Sequence, residues 1–413
     1  MTENIGILET AKKTYQLMAA DETLGNQAEH VKNLIDKLEN DDMTVAIIGQ
    51  FKRGKSTLAN AILGDEILPV GIVPVTSAVT KIKYGKRSAE VHYNNGVIEA
   101  VGFDRLSEFI SEQENEDNRL GVREVVLRTP SKFLKNGLTF VDTPGVGSFH
   151  TSNTEVAYHY MKESDAVIFL LSVDSPINQI EIDFLHGTRE FAAKFYFAVN
   201  KVDTVSKKDL NLYMDYCNKL LCRMMETESV TMFAVSAETG EGVEELSDAV
   251  LRDCKKNSKQ ILETSTQKKL KDAITSSLAQ LDFYWKAMNL SFTDLDKRFE
   301  TLTEKLNEIR QEADVYEGQY EVKLNEIKMK LSQLVMEQFG MEYGYDIEDL
   351  STDYLKMGRE DFRKQVNALC DNLRSSLDKV LLYREENAYT VCHRINAINR
   401  LSRQLRKIRK ELD

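Results

Sequence analysis

Short apolar runs, broken by polar turn-forming residues, fill the chain from Met43 to about Asp253. They are Val45–Ile48, Val79–Tyr84, Val91–Tyr93, Val97–Val101, Val125–Leu127, Leu138–Val141, Ala166–Leu171, Phe195–Val199 and Thr231–Val235. Runs this short, rich in valine and isoleucine, predict strands. Asn94–Asn95–Gly96 lies between two of them, and Asn-Gly tolerates the positive φ that a hairpin turn needs. Helical patterns separate most of the later strands. The alternation predicts an α/β domain with a mainly parallel sheet flanked by helices.

The remainder has a helical period. Met288, Phe292, Leu295, Phe299, Leu302, Leu306, Ile309, Ala313, Tyr316 and Tyr320 alternate steps of four and three, a heptad seam. The next step, to Leu324, is a second four in a row, after which Ile327, Leu331 and Leu334 resume the pattern. Such a stutter unwinds a supercoil locally, so the spacing predicts a helix running almost straight through Tyr320. Leu24, Ala28, Val31, Ile35 and Leu38 make a similar N-terminal stripe. Neither stripe can bury itself alone. One bundle of N- and C-terminal helices satisfies both; so do coiled-coil segments that find partners in other chains.

Composition sharpens the boundary. All five prolines precede residue 177, and 16 of the 20 glycines precede residue 256. The expected organisation is N-terminal helices over 1–42, an α/β domain over 43–255 and a helical bundle over 256–413. With 42% hydrophobic and 29% charged residues, a disordered or fibrous chain is excluded. The longest wholly apolar stretch, Ala166 to Leu171, falls far short of the about 20 residues of a membrane-spanning helix. The opening Met1–Thr2–Glu3–Asn4 lacks the basic-then-apolar pattern of a secretion signal. The net charge of −12 disfavours nucleic acid as a partner for the whole surface, though a local basic patch can still take up RNA or anionic lipid. Five cysteines without C-x-x-C spacing read as free thiols in a reducing, cytoplasmic setting. Six scattered histidines form no zinc-binding pattern.

The chemistry begins at Gly49–Gln50–Phe51–Lys52–Arg53–Gly54–Lys55–Ser56, which fits G-x-x-x-x-G-K-S between a strand and a helix. Glycines let backbone N–H groups turn inward around phosphate oxygens, and the helix N-terminus favours negative charge. The expected binding set is Gly49, Phe51, Lys52, Arg53, Gly54, Lys55, Ser56 and Thr57. Lys55 should reach the β- and γ-phosphates, and Ser56 should ligate Mg²⁺.

Asn200–Lys201–Val202–Asp203 follows the strand Phe195–Val199 and selects the base. A carboxylate at Asp203 accepts from guanine N1–H and the 2-amino group. Adenine lacks that amino donor and would leave the carboxylate unpaired. Ser236–Ala237 ends the next strand and fits the loop that offers a backbone N–H to guanine O6. Asp142–Thr143–Pro144–Gly145 lies between these motifs. Asp142 should hold Mg²⁺ through water, and the Gly145 N–H should bond the γ-phosphate and be released on hydrolysis, making Val146 onward a switch segment. Val146 stands where Ras-like proteins carry a water-positioning glutamine, so water activation must come from elsewhere. Thr76, with Ser77 and Thr80 as rivals, is expected to close over Mg²⁺ and hold the water. Lys52 and Arg53 either neutralise charge on the β–γ bridge, as an internal arginine finger does, or face solvent or a partner's acids.

These motifs, with Leu68–Pro69, Pro74–Val75–Thr76 and Leu171–Ser172–Val173–Asp174–Ser175–Pro176, resemble the dynamin superfamily, and most closely its bacterial dynamin-like GTPases. The resemblance covers residues 43 to about 240. It implies a GTPase domain on a helical neck and stalk, low nucleotide affinity, GTP-dependent dimerisation across the nucleotide face, and membrane remodelling. Lys52 occupies the place of a catalytic P-loop arginine in guanylate-binding proteins and atlastins, and the arginine here comes one residue later. Eukaryotic dynamins have Gln-Ser in the loop interior, where this chain has Phe51–Lys52. Typical relatives carry a longer trunk with an apolar tip, and no such tip is visible. A shortened protein, a fragment and one half of a two-protein assembly each fit.

Ile395, Ile398, Leu401, Leu405, Ile408 and Leu412 form a last stripe, surrounded by Arg394, Arg400, Arg403, Arg406, Lys407, Arg409 and Lys410. A basic amphipathic helix can lie on anionic lipid. A final bundle helix with a solvated basic face explains the stripe as well.

The sequence therefore reads as a dynamin-like GTPase using Mg²⁺ and GTP, cytoplasmic or peripheral at a membrane. It would form a homodimer or assemble with a related protein. The rivals are an Era-like GTPase acting on RNA and a helical scaffold with a vestigial switch.

Overall fold

The computed structural model describes residues 6–50, 52–70, 78–111, 113–115, 118–135, 137–144, 160–189, 191–289, 292–318, 320–339, 359–384 and 388–412. Phe51, Thr76, Ser77, Gly145 and Val146 lie outside this set. The elements run α1 (Ile7–Ala19), α2 (Gly25–Asn40), β1 (Met43–Gly49), α3 (Lys55–Leu63), β2 (Val79–Tyr84), β3 (Ser88–Tyr93), β4 (Ile98–Val101), α4 (Ser107–Ile110), β5 (Val122–Thr129), β6 (Leu138–Asp142), β7 (Ala166–Ser172), α5 (Gln179–Thr188), β8 (Lys194–Asn200), α6 (Lys207–Met224), β9 (Met232–Ala234), α7 (Val243–Lys256), α8 (Ser258–Met288), α9 (Phe292–Val315), α10 (Tyr320–Phe339), α11 (Arg359–Arg384) and α12 (Ala388–Glu411). They form two compact units, Ile35–Lys269 and Met1–Leu34 with Leu270–Asp413.

The first unit is built on a nine-stranded sheet ordered β4-β3-β5-β2-β6-β1-β7-β8-β9. Each of the nine apolar runs coincides with one of its strands, with only Val97, Thr231 and Val235 falling just outside. From β6 through β9 the pairing is parallel; β2 meets β6, and β3 meets both β4 and β5, in antiparallel fashion. β1 and β7 are buried along their whole length. Alternate residues feed opposite cores: Val45, Ile47, Phe140 and Ile168 on one side, Ala46, Ile48, Val141 and Phe169 on the other. A strand covered on both faces needs no polar alternation, which is why its sequence is continuously apolar. Parallel register brings Gly49, Asp142 and Asn200 to the same edge, where the sequence motifs leave their strands.

At the other end of β7, Asp165 is buried among charged partners. One carboxylate oxygen accepts from Lys269 Nζ (2.8 Å) and Ser265 Oγ (2.7 Å); the other accepts from the Thr44 amide (2.9 Å) and Lys37 Nζ (3.4 Å). Both lysines also donate to the Glu163 carbonyl, at 2.6 and 3.0 Å. Burial opposes the charge on Asp165, but the two ammonium groups and these hydrogen bonds outweigh it. They hold the carboxyl well below the usual carboxylate range.

The second unit is helical. Met288, Phe299, Leu302, Leu306, Ile309 and Ala313 are buried, as are Leu324, Ile327, Leu331 and Leu334. The seam therefore lines a core, but not along one straight helix. It is divided between α8, α9 and α10, with breaks after Met288 and after Val315. The second break contains Gly318, where a Cβ would stand 2.6 Å from the Tyr316 hydroxyl. The stutter thus marks a helix end, and α9 and α10 pack on each other and on α11. Tyr316, Tyr320 and Phe362 join there, with ring centroids 5.3–5.9 Å apart.

Within the same unit α1 packs on α12, Arg394 pairs with Glu22 at 2.9 Å, and Gln27 bonds Gln280 at 3.0 Å. Ile398, Leu401, Leu405, Ile408 and Leu412 are buried, whereas Arg400, Arg403, Arg406, Lys407 and Lys410 are exposed. The C-terminal stripe belongs to the helical core. No described helix is long and apolar enough to cross a membrane.

Candidate nucleotide site

The phosphate loop joins β1 to α3, and two glycines permit its path. A Cβ at Gly49 would meet the Leu170 carbonyl at 2.5 Å. Gly54 has φ +91°, and a Cβ there would stand 2.5 Å from Asn200 Nδ2. Lys52 also adopts a left-handed backbone, with φ +67°, and its side chain is exposed. Its role as a catalytic cation remains an expectation. Thr57 follows in the first turn of α3, half-buried.

Lys55 is buried and donates to the carbonyls of Gly49 (3.0 Å) and Gln50 (3.4 Å). Burial lowers its pKa to about 8, against the opposing fields of Asp142 and Glu181. Ser56 Oγ donates to Asp142 Oδ2 at 2.8 Å. Burial raises the Asp142 carboxyl to about 6, against Lys55, Ser56 and the Thr143 amide. Asp142 Oδ1 is buried without a partner, and so is the hydroxyl of Thr80. Thr80 stands directly opposite Asp142 in the β2–β6 ladder. Thr143 Oγ1 donates to the Ile47 carbonyl at 2.9 Å and fixes the end of β6 against β1.

Ser56 and Asp142 offer hard oxygen donors beside an orphaned carboxylate oxygen, and this donor set fits Mg²⁺. Thr76 and Ser77, the other candidates for closing over the metal, and Gly145, the candidate γ-phosphate donor, lie outside the described residues. The approach to Thr76 starts from a fixed point. Asn60 Nδ2 donates to the Leu68 carbonyl at 2.9 Å, and its Oδ1 accepts from the Ile67 and Leu68 amides at 3.2 and 2.9 Å.

On the base side, Asn200 Nδ2 donates to the Arg53 carbonyl (2.8 Å) while its Oδ1 accepts from the Ala237 amide (2.9 Å). Asn200 thus ties the phosphate loop to the Ser236–Ala237 loop. The Ala237 N–H, expected to face guanine O6, is engaged by that bond, and the Ser236 N–H by the Glu241 carbonyl at 2.8 Å. Lys201 takes φ +64°, and Asp203 is exposed in the one-turn helix Val202–Thr204.

Arg53 departs most from expectation. Its side chain is 2% exposed and bonds bidentately to Glu181 of its own chain, so it does not face solvent. Glu181 and Asn178 form the capping box of α5, and Asn178 Nδ2 also donates to Gln50 Oε1 at 2.8 Å. Sequence reasoning missed this partner. The N-x-x-E spacing before an apolar run was its one local signal.

The model of the dynamin family matches residues 45–203. A Caldicellulosiruptor sp. (strain Rt8B.4) protein, described as "Uncharacterized protein in xynA 3'region", is 30% identical over 337 residues, covering 77% of this chain and 83% of its own. The chain belongs to the dynamin family. Its α/β unit is a GTPase domain. Dynamin-like protein 1 of Campylobacter jejuni is 26% identical over 275 residues, 56% of this chain and 37% of its own length. The chain likewise matches only 21% of the Arabidopsis thaliana "Probable transmembrane GTPase FZO-like, chloroplastic". A solved structure of an oligomerised bacterial dynamin pair covers 97% of this chain and 78% of its own at 17% identity, with a TM-score of 0.45.

Proposed function

We propose that this dynamin-family protein binds GTP with Mg²⁺, hydrolyses it to GDP and phosphate, and couples that cycle to its helical unit through nucleotide-dependent dimerisation. The observation that carries the reading is the convergence of buried Lys55, Ser56 and Asp142, with an unsatisfied carboxylate oxygen, at the edge where the base-reading loop also ends.

Lys55, released from its loop carbonyls, lays its charge between the β- and γ-phosphates. Ser56 and Asp142 would hold Mg²⁺, which would draw charge from the phosphate oxygens. Thr76 would complete the metal's oxygen ligands and orient the attacking water. The water oxygen bonds to γ-phosphorus, the bond to the β–γ bridging oxygen breaks with its electron pair leaving on GDP, and the water's protons pass to phosphate and solvent. Asp203 reads guanine N1–H and the 2-amino group. Gly145 senses the γ-phosphate. Lys52, at the outer corner of the loop, supplies a cation within one chain or across a dimer. Membrane remodelling follows from the family resemblance, with the basic face of α12 as the lipid-facing candidate.

Phosphate release from GTP and ATP, with and without Mg²⁺, tests the chemistry. Turnover of ATP as fast as GTP sinks the guanine assignment. Light scattering and co-sedimentation with anionic liposomes, each with and without a GTP analogue, test the coupling. Nucleotide-independent behaviour in both sinks that part.

A further inference from the structure

Arg53 sits inside the phosphate loop, yet every guanidinium N–H is given to an acceptor within the protein. Nε and Nη2 form a fork on Glu181, at 3.0 and 2.8 Å. Nη2 also donates to the Pro176 carbonyl at 3.1 Å, and Nη1 to the Ser175 carbonyl at 2.7 Å and Ser172 Oγ at 3.0 Å. A guanidinium has five N–H donors, and these five bonds use them all. Glu181 is fully buried, and Arg53 with it. An arginine so occupied has no donor left for a transition state.

The bonds continue past Arg53. The Ser172 hydroxyl, which accepts from Arg53, donates to Asp174 Oδ1, and Asp174 Oδ2 accepts from Lys201 Nζ at 2.6 Å. A relay thus runs Glu181–Arg53–Ser172–Asp174–Lys201, from the phosphate loop to the base-reading loop. The main chain closes the circuit where Asn200 donates to the Arg53 carbonyl. Left-handed residues flank this corner, Lys52 at φ +67° and Gly54 at φ +91°. A lysine in that region costs on the order of 1 kcal/mol and persists only where its surroundings hold it there. The next residue along the chain is Arg53, anchored to buried Glu181.

We propose that Arg53 is a positioning residue. Its pair with Glu181 sets the corner of the phosphate loop, and the relay through Ser172 and Asp174 makes that geometry depend on the base-reading loop. The inference rests on the reading that one guanine nucleotide spans both loops.

The test compares GDP affinity, KM and kcat for GTP, and thermal stability in Arg53→Lys, Glu181→Gln, their double variant and Ser172→Ala. GDP has no γ-phosphate to transfer, so a cation that acts only on the transition state leaves its binding unchanged, whereas a change in loop geometry does not. Arg53→Lys keeps the charge but loses the fork, and Glu181→Gln keeps the shape but loses the charge. Each is expected to weaken GDP about tenfold and to raise KM, with the double variant no worse than either, because both break one unit. Ser172→Ala, which spares the ion pair, is expected to weaken GDP about threefold and keeps the test open if Glu181→Gln fails to fold. Asp174→Asn is expected to weaken Mg-pyrophosphate, a probe with no base, by a similar factor.

GDP affinity equal to wild type in Arg53→Lys, with kcat alone reduced, overturns the proposal in favour of a transition-state cation. Lowered melting temperature with wild-type GDP affinity of the folded protein overturns it in favour of a structural pair. Unchanged pyrophosphate affinity in Asp174→Asn overturns the relay. Wild-type protein that binds no guanine nucleotide sinks both this inference and the reading beneath it; normal wild-type turnover with unaffected variants sinks this inference alone.

Discussion

Ser56 Oγ donates a 2.8 Å hydrogen bond to Asp142 Oδ2, so the serine expected on the metal and the aspartate expected beside it already touch. Burial shifts Asp142 and the neighbouring Lys55 in opposite directions. Burial raises Asp142 from 3.8 to about 6 and lowers Lys55 from 10.5 to about 8. The carboxylate is lost as pH falls through 6, and the ammonium as pH rises through 8. We expect kcat/KM for GTP to be bell-shaped, with limbs near those values, because this ratio reports the free enzyme. A flat profile from pH 5 to 9 would refute the assignment.

Lys55→Ala removes a cation buried in the phosphate loop. Phosphate release at saturating GTP and Mg²⁺ should fall by at least about a hundredfold while the circular dichroism spectrum is retained. Retained turnover in folded protein would remove Lys55 from the chemistry.

Gly54 meets two constraints at once, φ +91° and the close approach of Asn200 Nδ2. Asn200 cannot yield, because both ends of its amide are bonded. Gly54→Ala adds the left-handed penalty of about 1 kcal/mol to that clash. GDP affinity, read by calorimetry, should drop more than about tenfold; an unaltered Kd would count against the geometry.

Asp203 is exposed, so Asp203→Asn should leave stability within about 0.5 kcal/mol. Its effect should fall on the base. An amide can donate to the 2-oxo group of xanthine where the carboxylate accepted from the 2-amino group of guanine. Turnover should shift from GTP toward xanthosine triphosphate. A variant that keeps its GTP preference would place base reading elsewhere.

Asp165→Asn removes the charge that balances Lys269, itself only 3% exposed. Breaking such a pair costs about 3–5 kcal/mol, which urea unfolding at neutral pH would measure. The folded carboxyl of wild type lies below its ordinary value. Its contribution to stability is therefore present above about pH 4 and is lost as pH falls toward the folded value. The variant should lack this acid-side loss.

The sheet was legible because strands covered on both faces must be apolar throughout, as Val45–Ile48 and Ala166–Leu171 are. The phosphate loop was legible because Gly49 and Gly54 have no substitute where Leu170 and Asn200 approach. The helix break at Gly318 was not, because a heptad seam continues across a turn as readily as along a helix. Nor was the pairing of Arg53 with Glu181, 128 positions apart. Only the fold reveals that a cation in a phosphate loop is satisfied from behind.

Leu401, Leu405 and Ile408 of α12 are spent on the helical core, while Arg400, Arg403 and Lys407 look outward. Attraction of that face to an anionic surface can then come only from charge. It should fade as ionic strength rises and the screening length shrinks from about 10 Å at 0.1 M to about 3 Å at 1 M. On a lipid surface such a face would grip by counting headgroups, and it would let go in brine without any part of the helix having entered oil.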